Sequence, residues 1–284
     1  MKSIRKNIDE RVVRDFGSEW DRFDQAILSP TDREKIFSDY FHLFPWNTIP
    51  SNAVGADIGC GSGRWASLVA PRVGHLYLVD PSNEAIKVAR RNLHSVTNVT
   101  FHHESVGSLT IEECSLDFAY SLGVLHHVPD TDAAIKAVVR LLKPGAPFLI
   151  YLYYSFDNRP WSYRALWKVS DLLRSLISRM PQKPKHFICE LIALFLYLPL
   201  ARLAAYLDKI GILPDSWPLS YYKDCEYYVM RTDALDRFGT RLEKRFSRRE
   251  IERILADAGL VNILFSNTNP FWCAVAVKRQ IYSP

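Results

Sequence analysis

Ala56-Asp57-Ile58-Gly59-Cys60-Gly61-Ser62-Gly63-Arg64-Trp65 is the stretch that most narrows what this chain can fold into. The apolar run Val54–Ile58 reads as a strand, three alternating glycines follow, and Arg64–Ala70 then reads as a helix. A strand turning tightly into a helix opens a βαβ unit, and open α/β sheets bind ligands at the carboxyl ends of such strands. Glycine is needed where a side chain would strike the ligand or forbid the turn. The spacing is GxGxG rather than GxGxxG, and Asp57 stands two residues ahead of the first glycine. An acid there suits a cationic or amine-bearing ligand better than a pyrophosphate. Asp80 ends the next strand, 21 residues after Gly59. A carboxylate at that position can accept both hydroxyls of a ribose.

The alternation continues. Leu76–Asp80, Val99–His103, Leu116–Ser121 and Phe148–Tyr154 read as strands, with Ser82–Ser95 and Asp132–Leu142 as the helices between them. Ser82 suits an N-cap, and Pro144 with Gly145 stops the later helix. Near the end, Arg248–Ala258 reads as a helix capped by Gly259, followed by strands Val261–Ser266 and Trp272–Lys278. Strands and helices in this order predict an α/β fold with a parallel sheet covered on both faces. Residues 1–50 are expected to form an N-terminal helical cover, 51–154 the cofactor-binding core and 155–246 a helical insertion after the fifth strand. Residues 247–284 then complete the core.

Four motifs in order, DIGCGSGRW, LVDPS, LDFAYSLGVLHHVPD and LLKPGAPFLIYLY, resemble the class I S-adenosylmethionine-dependent methyltransferases. The resemblance is to the ubiquinone/menaquinone-biosynthesis type, over about residues 53–154 and again over 247–279. It implies a Rossmann-like fold with a seven-stranded, mostly parallel sheet, and S-adenosyl-L-methionine as cofactor. Asp57, Gly59, Gly61 and Gly63 would then surround the methionine part and Asp80 the ribose. Ser121 and Leu122 would lie beneath the cofactor, and Cys60, Pro81 and Ser82 would complete its surroundings. Family members place an acid and a small residue toward adenine after the third strand; Ser105 and Val106 stand there in this chain.

The N/D-PP-Y/F/W signature of amino-methyltransferases acting on adenine or glutamine is absent; Ser121-Leu122-Gly123-Val124 occupies its place. That turns the expectation toward oxygen, carbon or small-molecule nitrogen acceptors. His126 and His127 follow the fourth strand on the acceptor side, where a histidine can take a proton. The plain alternative is that they pack the loop. Trp20 and Phe23 in the N-terminal cover, with His126 and Tyr153, are the candidate acceptor contacts. An aromatic ring over the sulfonium would attract it by cation–π contact. Packing against the sheet is the other reading of both cover residues.

The five cysteines are scattered, with no CxxC pair or Cys/His cluster, so neither metal nor disulfide framework is expected, and the chain reads as cytoplasmic. The start is polar and charged, unlike a signal peptide. The net charge of +5 matches the 15 Lys/Arg against 10 Asp/Glu of residues 155–246 and is too diffuse for nucleic acid. The acceptor is therefore expected to be a small molecule or a glycan- or lipid-linked group.

The insertion holds 15 aromatics. Trp161–Arg179 reads as an amphipathic helix, with Leu166, Val169, Leu173 and Leu176 along one face. Pro181–Lys185 should break the chain after it. Leu191–Ala201 is the most apolar stretch. With Glu190 and Arg202 at its ends and Pro199 inside, it reads as too short and broken for a membrane span. The charged stretch 231–245 reads as a lid loop. The whole insertion reads as a substrate lid, a homodimer surface, or a peripheral membrane contact through 161–207. Two rival functions keep the fold: another transfer from the same cofactor, or cofactor binding without catalysis. A nicotinamide oxidoreductase is disfavoured by the GxGxG spacing.

Overall fold

Runs of apolar residues buried on both faces make the centre of the sheet. In the computed structural model, which describes residues 7–22, 29–214 and 217–280, β1 is Val54–Ile58 and β2 His75–Asp80. Next come β3 (Val99–His103), β4 (Phe118–Leu122) and β5 (Pro147–Tyr151). The last two strands are β6 (Leu260–Phe265) and β7 (Ala274–Lys278). Together they form one seven-stranded sheet in the order β3-β2-β1-β4-β5-β7-β6. The first five strands pair in parallel and β7 runs antiparallel to both its neighbours. The strand order reverses between β1 and β4, so the loop after β1 opens at the topological switch point.

The helices of this part explain themselves locally. α1 (Glu10–Arg22) and α2 (Pro30–Phe41) form the N-terminal cover. The cover is pinned by rings: Phe41 lies 5.3 Å from Tyr120 and Phe44 lies 5.7 Å from Phe118, centroid to centroid. α3 is only Ala66–Val69: Arg64 and Trp65 stay in the turn ahead of it, and at Pro71 the chain continues as a 3₁₀ turn, Ala70–Arg72. α4 (Asn83–Asn92) is capped as expected, the Ser82 hydroxyl accepting from Ala85 N at 3.2 Å. α5 (Thr131–Leu141) is capped by Asp130.

The strand ends shift slightly. Leu116 makes only an isolated bridge to Leu142, and β5 stops at Tyr151 rather than Tyr154.

The described residues divide into two compact units, one around the sheet and one comprising 29–33 and Phe156–Arg241. In the second, α6 (Trp161–Ile177) is followed by α7 (Gln182–Ile192), a π-helical turn Ala193–Tyr197 and α8 (Leu198–Lys209). These last three form one continuous helix, Gln182–Lys209, long and apolar enough to cross a membrane by length and composition. Pro199 therefore does not break it, contrary to the sequence expectation. Proline lacks the N–H of an i→i−4 bond, and the π turn just ahead absorbs the irregularity. Nor does the Pro181–Lys185 stretch separate helices widely, since α7 already contains Pro184 in its first turn.

The stretch 231–245 is likewise no long loop. α9 (Tyr227–Gly239) covers its first half and buries Met230, Ala234 and Leu235. Its charges have partners within the unit: Arg231 pairs with Glu190 at 2.7 Å, and Asp233 accepts from the Tyr222 hydroxyl at 2.8 Å. The chain returns to the sheet through α10 (Arg248–Asp257), opened by a Ser247/Glu250 capping box.

Candidate active site

The loop after β1 is stapled to the end of β2. Gly59 N and Cys60 N both donate to Val79 O, at 2.7 and 3.0 Å. Asp80 then holds two segments at once: its Oδ2 accepts from Gly61 N at 3.0 Å and its Oδ1 from Ser82 N at 2.8 Å. Gly59, Gly61 and Gly63 all have positive φ, at +82°, +52° and +76°. At Gly61 a close approach adds to the backbone demand. A Cβ there would stand 2.9 Å from the indole of Trp20, so α1 closes directly on the glycine loop. Gly17 of α1 faces the Ser82 hydroxyl in the same way, and Phe16 meets His127 at 4.8 Å between ring centroids.

An alanine at Gly61 drives a methyl into that indole at a left-handed φ. It is expected to cost about 1–3 kcal/mol and to lift α1. Hydrogen exchange should quicken in residues 10–22 while the β1 amides stay protected; unchanged exchange in α1 would deny the contact.

Two buried carboxylates face this loop. Burial pushes the Asp57 carboxyl up to about 8, and the negative charge of Asp80 adds to the rise. The Tyr120 hydroxyl lies close by, short of a well-formed hydrogen bond, and with Arg64 it pulls the value back. Asp57 Oδ2 has no hydrogen-bond partner among the described residues. Asp80 is raised by burial to about 6, opposed by the amides of Ser82 and Gly61 and by His103. Burial also lifts the Cys60 thiol well above its usual value, which leaves it unreactive.

The other cofactor candidates divide by what they already touch. Ser105 is buried with its hydroxyl 3.0 Å from that of Ser108, and Val106 is buried beside it. The Ser121 hydroxyl donates to Ile58 O at 2.8 Å, fastening β4 to β1. Leu122 is buried, and Pro81 O lies 2.9 Å from His103 Nε2.

On the β4–β5 side, His126 is fully buried and neither ring nitrogen has a hydrogen-bond partner among the described residues. Its ring stacks on Tyr153 at 3.9 Å and meets His127 at 4.0 Å. Burial above all, then the nearby His127 and Arg245, holds its pKa well below the usual 6.5. It is therefore neutral at physiological pH. His127 Nδ1 lies 2.6 Å from Leu242 O, which assigns the proton of that ring to Nδ1.

Sequence patterning missed Arg245, whose guanidinium sits 5.1 Å from the Tyr153 ring centroid and pairs with the buried Glu243 at 2.6 Å. It also missed Tyr151, 5.3 Å from Tyr40. Phe246 pairs with Tyr154 in extended form, and that return brings Arg245 to the rings. The charge density of the segment hid it. Phe23 lies outside the described residues.

A sheet of this order, with an acid–glycine loop after β1 and an acid ending β2, is the class I methyltransferase fold of the Rossmann-like type. Residues 56–150 match the methyltransferase-domain family. The chain is 35% identical over 172 residues to a ubiquinone biosynthesis O-methyltransferase of Xanthomonas oryzae pv. oryzae, covering 57% of this chain and 66% of that one. It is 32% identical over 165 residues to the Xanthomonas axonopodis pv. citri enzyme of the same name, covering 57% of this chain. The match thus spans 64% and 66% of those relatives' length, just under two thirds. Among solved structures, a Methanosarcina mazei SAM-dependent methyltransferase aligns with a TM-score of 0.50 at 19% identity, over 84% of this chain and 99% of that one. A Haemonchus contortus phosphoethanolamine N-methyltransferase 2 aligns with a TM-score of 0.50 at 18% identity, over 95% of this chain and 47% of that one.

Proposed function

We propose that this protein transfers a methyl group from S-adenosylmethionine to a hydroxyl oxygen of a small, ring-bearing acceptor, free or carried on a glycan or lipid. The observation that carries the reading is Asp57, a buried carboxylate beside the glycine loop with one oxygen unpartnered. Such an oxygen fits the ammonium of the cofactor's methionine part, and Asp80 fits the ribose hydroxyls while it holds the loop. Ser105 and Val106 take the adenine side, with Leu122 beneath. Trp20, seated on Gly61, covers the methionine end. When bound, the cofactor supplies a methyl already activated on a sulfonium.

The choice of oxygen rests on His126 and on the O-methyltransferase names of the sequence relatives. A hydroxyl acceptor must lose its proton during transfer. A neutral, buried imidazole can receive that proton at Nδ1 or Nε2. An imidazolium would be costly in this site by itself. Here His126 gains one positive charge as the cofactor loses one, so the site's net charge is unchanged. Tyr153 fixes the ring by stacking, His127 meets it in a tilted contact, and Arg245 lies over the Tyr153 ring. Excluding water around these groups strengthens each electrostatic interaction.

The test is methyl transfer from labelled cofactor to a panel of phenols and other hydroxyl acceptors, read by mass. His126→Gln is expected to lower kcat by about 10²–10⁴ while leaving cofactor affinity unchanged. If kcat stays within about tenfold of the parent across pH 6–8, His126 is a packing residue and the base assignment fails. If no acceptor gains a methyl although the cofactor binds, methyl transfer itself is the wrong reading.

A further inference from the structure

Two helices of the second unit wear large apolar side chains on the outside. Along Gln182–Lys209 the inward positions are mostly small, with Cys189, Ala193, Ala201 and Ala204 buried and Lys185 and Tyr197 the large exceptions. The outward stripe is large: Phe187, Leu191, Phe195, Leu203, Tyr206 and Ile210 are exposed, Phe195 at 72%. α6 repeats the inversion. Leu166, Val169, Leu172, Leu173 and Leu176 face solvent, whereas Ile177 is buried and Trp167 packs on Phe156. Among the described residues, Leu264 is the only large exposed hydrophobic outside Trp161–Ile212. So much exposed apolar area on two successive helices marks a contact site.

Charge selects the partner. The stretch 161–209 carries three acids, and each is already paired: Asp171 with Arg174, Glu190 with Arg231, and Asp208 with Lys223. Six exposed cations, Arg164, Lys168, Arg179, Lys183, Arg202 and Lys209, have no carboxylate partner among the described residues. Large apolar side chains beside unpaired cations on amphipathic helices complement an anionic lipid surface: rings and leucines enter the acyl boundary and the long basic side chains reach the headgroups.

The helix lies on that surface rather than crossing it. Its inner side is tied to its own unit by the buried Lys185 Nζ donating to Gly239 O at 3.1 Å. The Glu190–Arg231 pair and Trp217 Nε1 donating to Leu200 O at 3.2 Å add to this hold. Crossing would tear out these polar contacts into hydrocarbon.

We infer that α6 and the Gln182–Lys209 helix form a peripheral docking surface for anionic membranes, and that this face would bring the protein to acceptors held in or near a bilayer. The surface is independent of the methyl-transfer reading, because its readout is partitioning rather than turnover. The experiment is co-sedimentation of the full chain with vesicles of phosphatidylcholine alone and of equimolar phosphatidylcholine and phosphatidylglycerol. Binding is expected only to the anionic vesicles and should weaken with added salt. Arg164→Gln with Lys168→Gln should reduce the partition coefficient about 25-fold, roughly fivefold per cation. Leu172→Ser with Phe195→Ser, both on exposed positions, should reduce it at least as much while leaving the melting temperature unchanged. Three results overturn the inference: no association with anionic vesicles at low salt, resistance of membrane-bound protein to carbonate extraction, or a stable dimer that the two serines dissociate without any change in vesicle binding.

Discussion

Asp80→Ala is expected to weaken S-adenosylmethionine binding by on the order of 10²–10⁴. Two hydrogen bonds from ribose hydroxyls to a charged acceptor are worth about 3–6 kcal/mol together. The same carboxylate holds the amides of Gly61 and Ser82, so its removal also frees two loop contacts. Asp80→Asn separates the two roles. Its single carbonyl can still hold one amide but offers no charge, so affinity should fall nearly as far while the loop stays in place. Calorimetry on the folded variants reads the loss, and circular dichroism with a melting curve checks the fold. Unchanged affinity in folded Asp80→Ala would remove Asp80 from the cofactor site.

Asp80 and Asp57 were legible because a strand end fixes where a side chain goes. In a parallel sheet the acid ending β2 and the acid ahead of the glycines must both reach the carboxyl edge, whatever surrounds them. The β1-to-β5 alternation and the Ser82 cap were legible for a similar reason, being set by local burial and local hydrogen bonds. The neutral state of His126 was not. It depends first on burial and then on His127 and the returning Arg245, surroundings that no spacing rule encodes.

The insertion shows the complementary limit. Its helical periods were readable, and Leu166, Val169, Leu173 and Leu176 do share a face, yet that face points outward. Periodicity identifies a stripe but not what the stripe meets. The opposite side of α6 is held by polar work, with Arg174 Nη1 donating to Thr240 O at 2.9 Å and Arg237 to the Ser170 hydroxyl at 3.0 Å. Charged residues that a sequence reader assigns to a solvated loop are here the fastenings of a helical unit. The same oversight turned α9 into a lid loop.

Cofactor affinity is expected to rise nearly tenfold between about pH 6 and 7, a few-fold more above pH 7, and to peak near pH 8. The cause is the raised pKa of Asp57, about 8 by burial and by the neighbouring Asp80 charge. Below that value the free protein holds a proton on the carboxyl. A cationic ligand group favours the ionised form, so binding must expel that proton, and each unit of pH well below 8 removes a factor of about ten from the cost. Above pH 8 the ligand's own α-amino group, with an ordinary pKa of about 7.7–8.0, loses its charge and affinity bends down again.

The sign for the unliganded protein is opposite. The folded pKa values of Asp57 and Asp80 lie above the ordinary 3.8, so the stability linked to their protonation is complete below about pH 4. It is then lost as pH rises through about 6 for Asp80 and about 8 for Asp57. Free protein should thus melt lower at pH 8 than at pH 6, while cofactor stabilises it most at pH 8. Asp57→Asn should flatten both trends above pH 6.5, leaving the smaller Asp80 contribution nearer pH 6. Isothermal titration in buffers of different ionisation enthalpy counts the proton directly: about one released per cofactor at pH 7 in the parent and close to none in Asp57→Asn. Equal proton counts in the two proteins would show that Asp57 does not face the cofactor's charge.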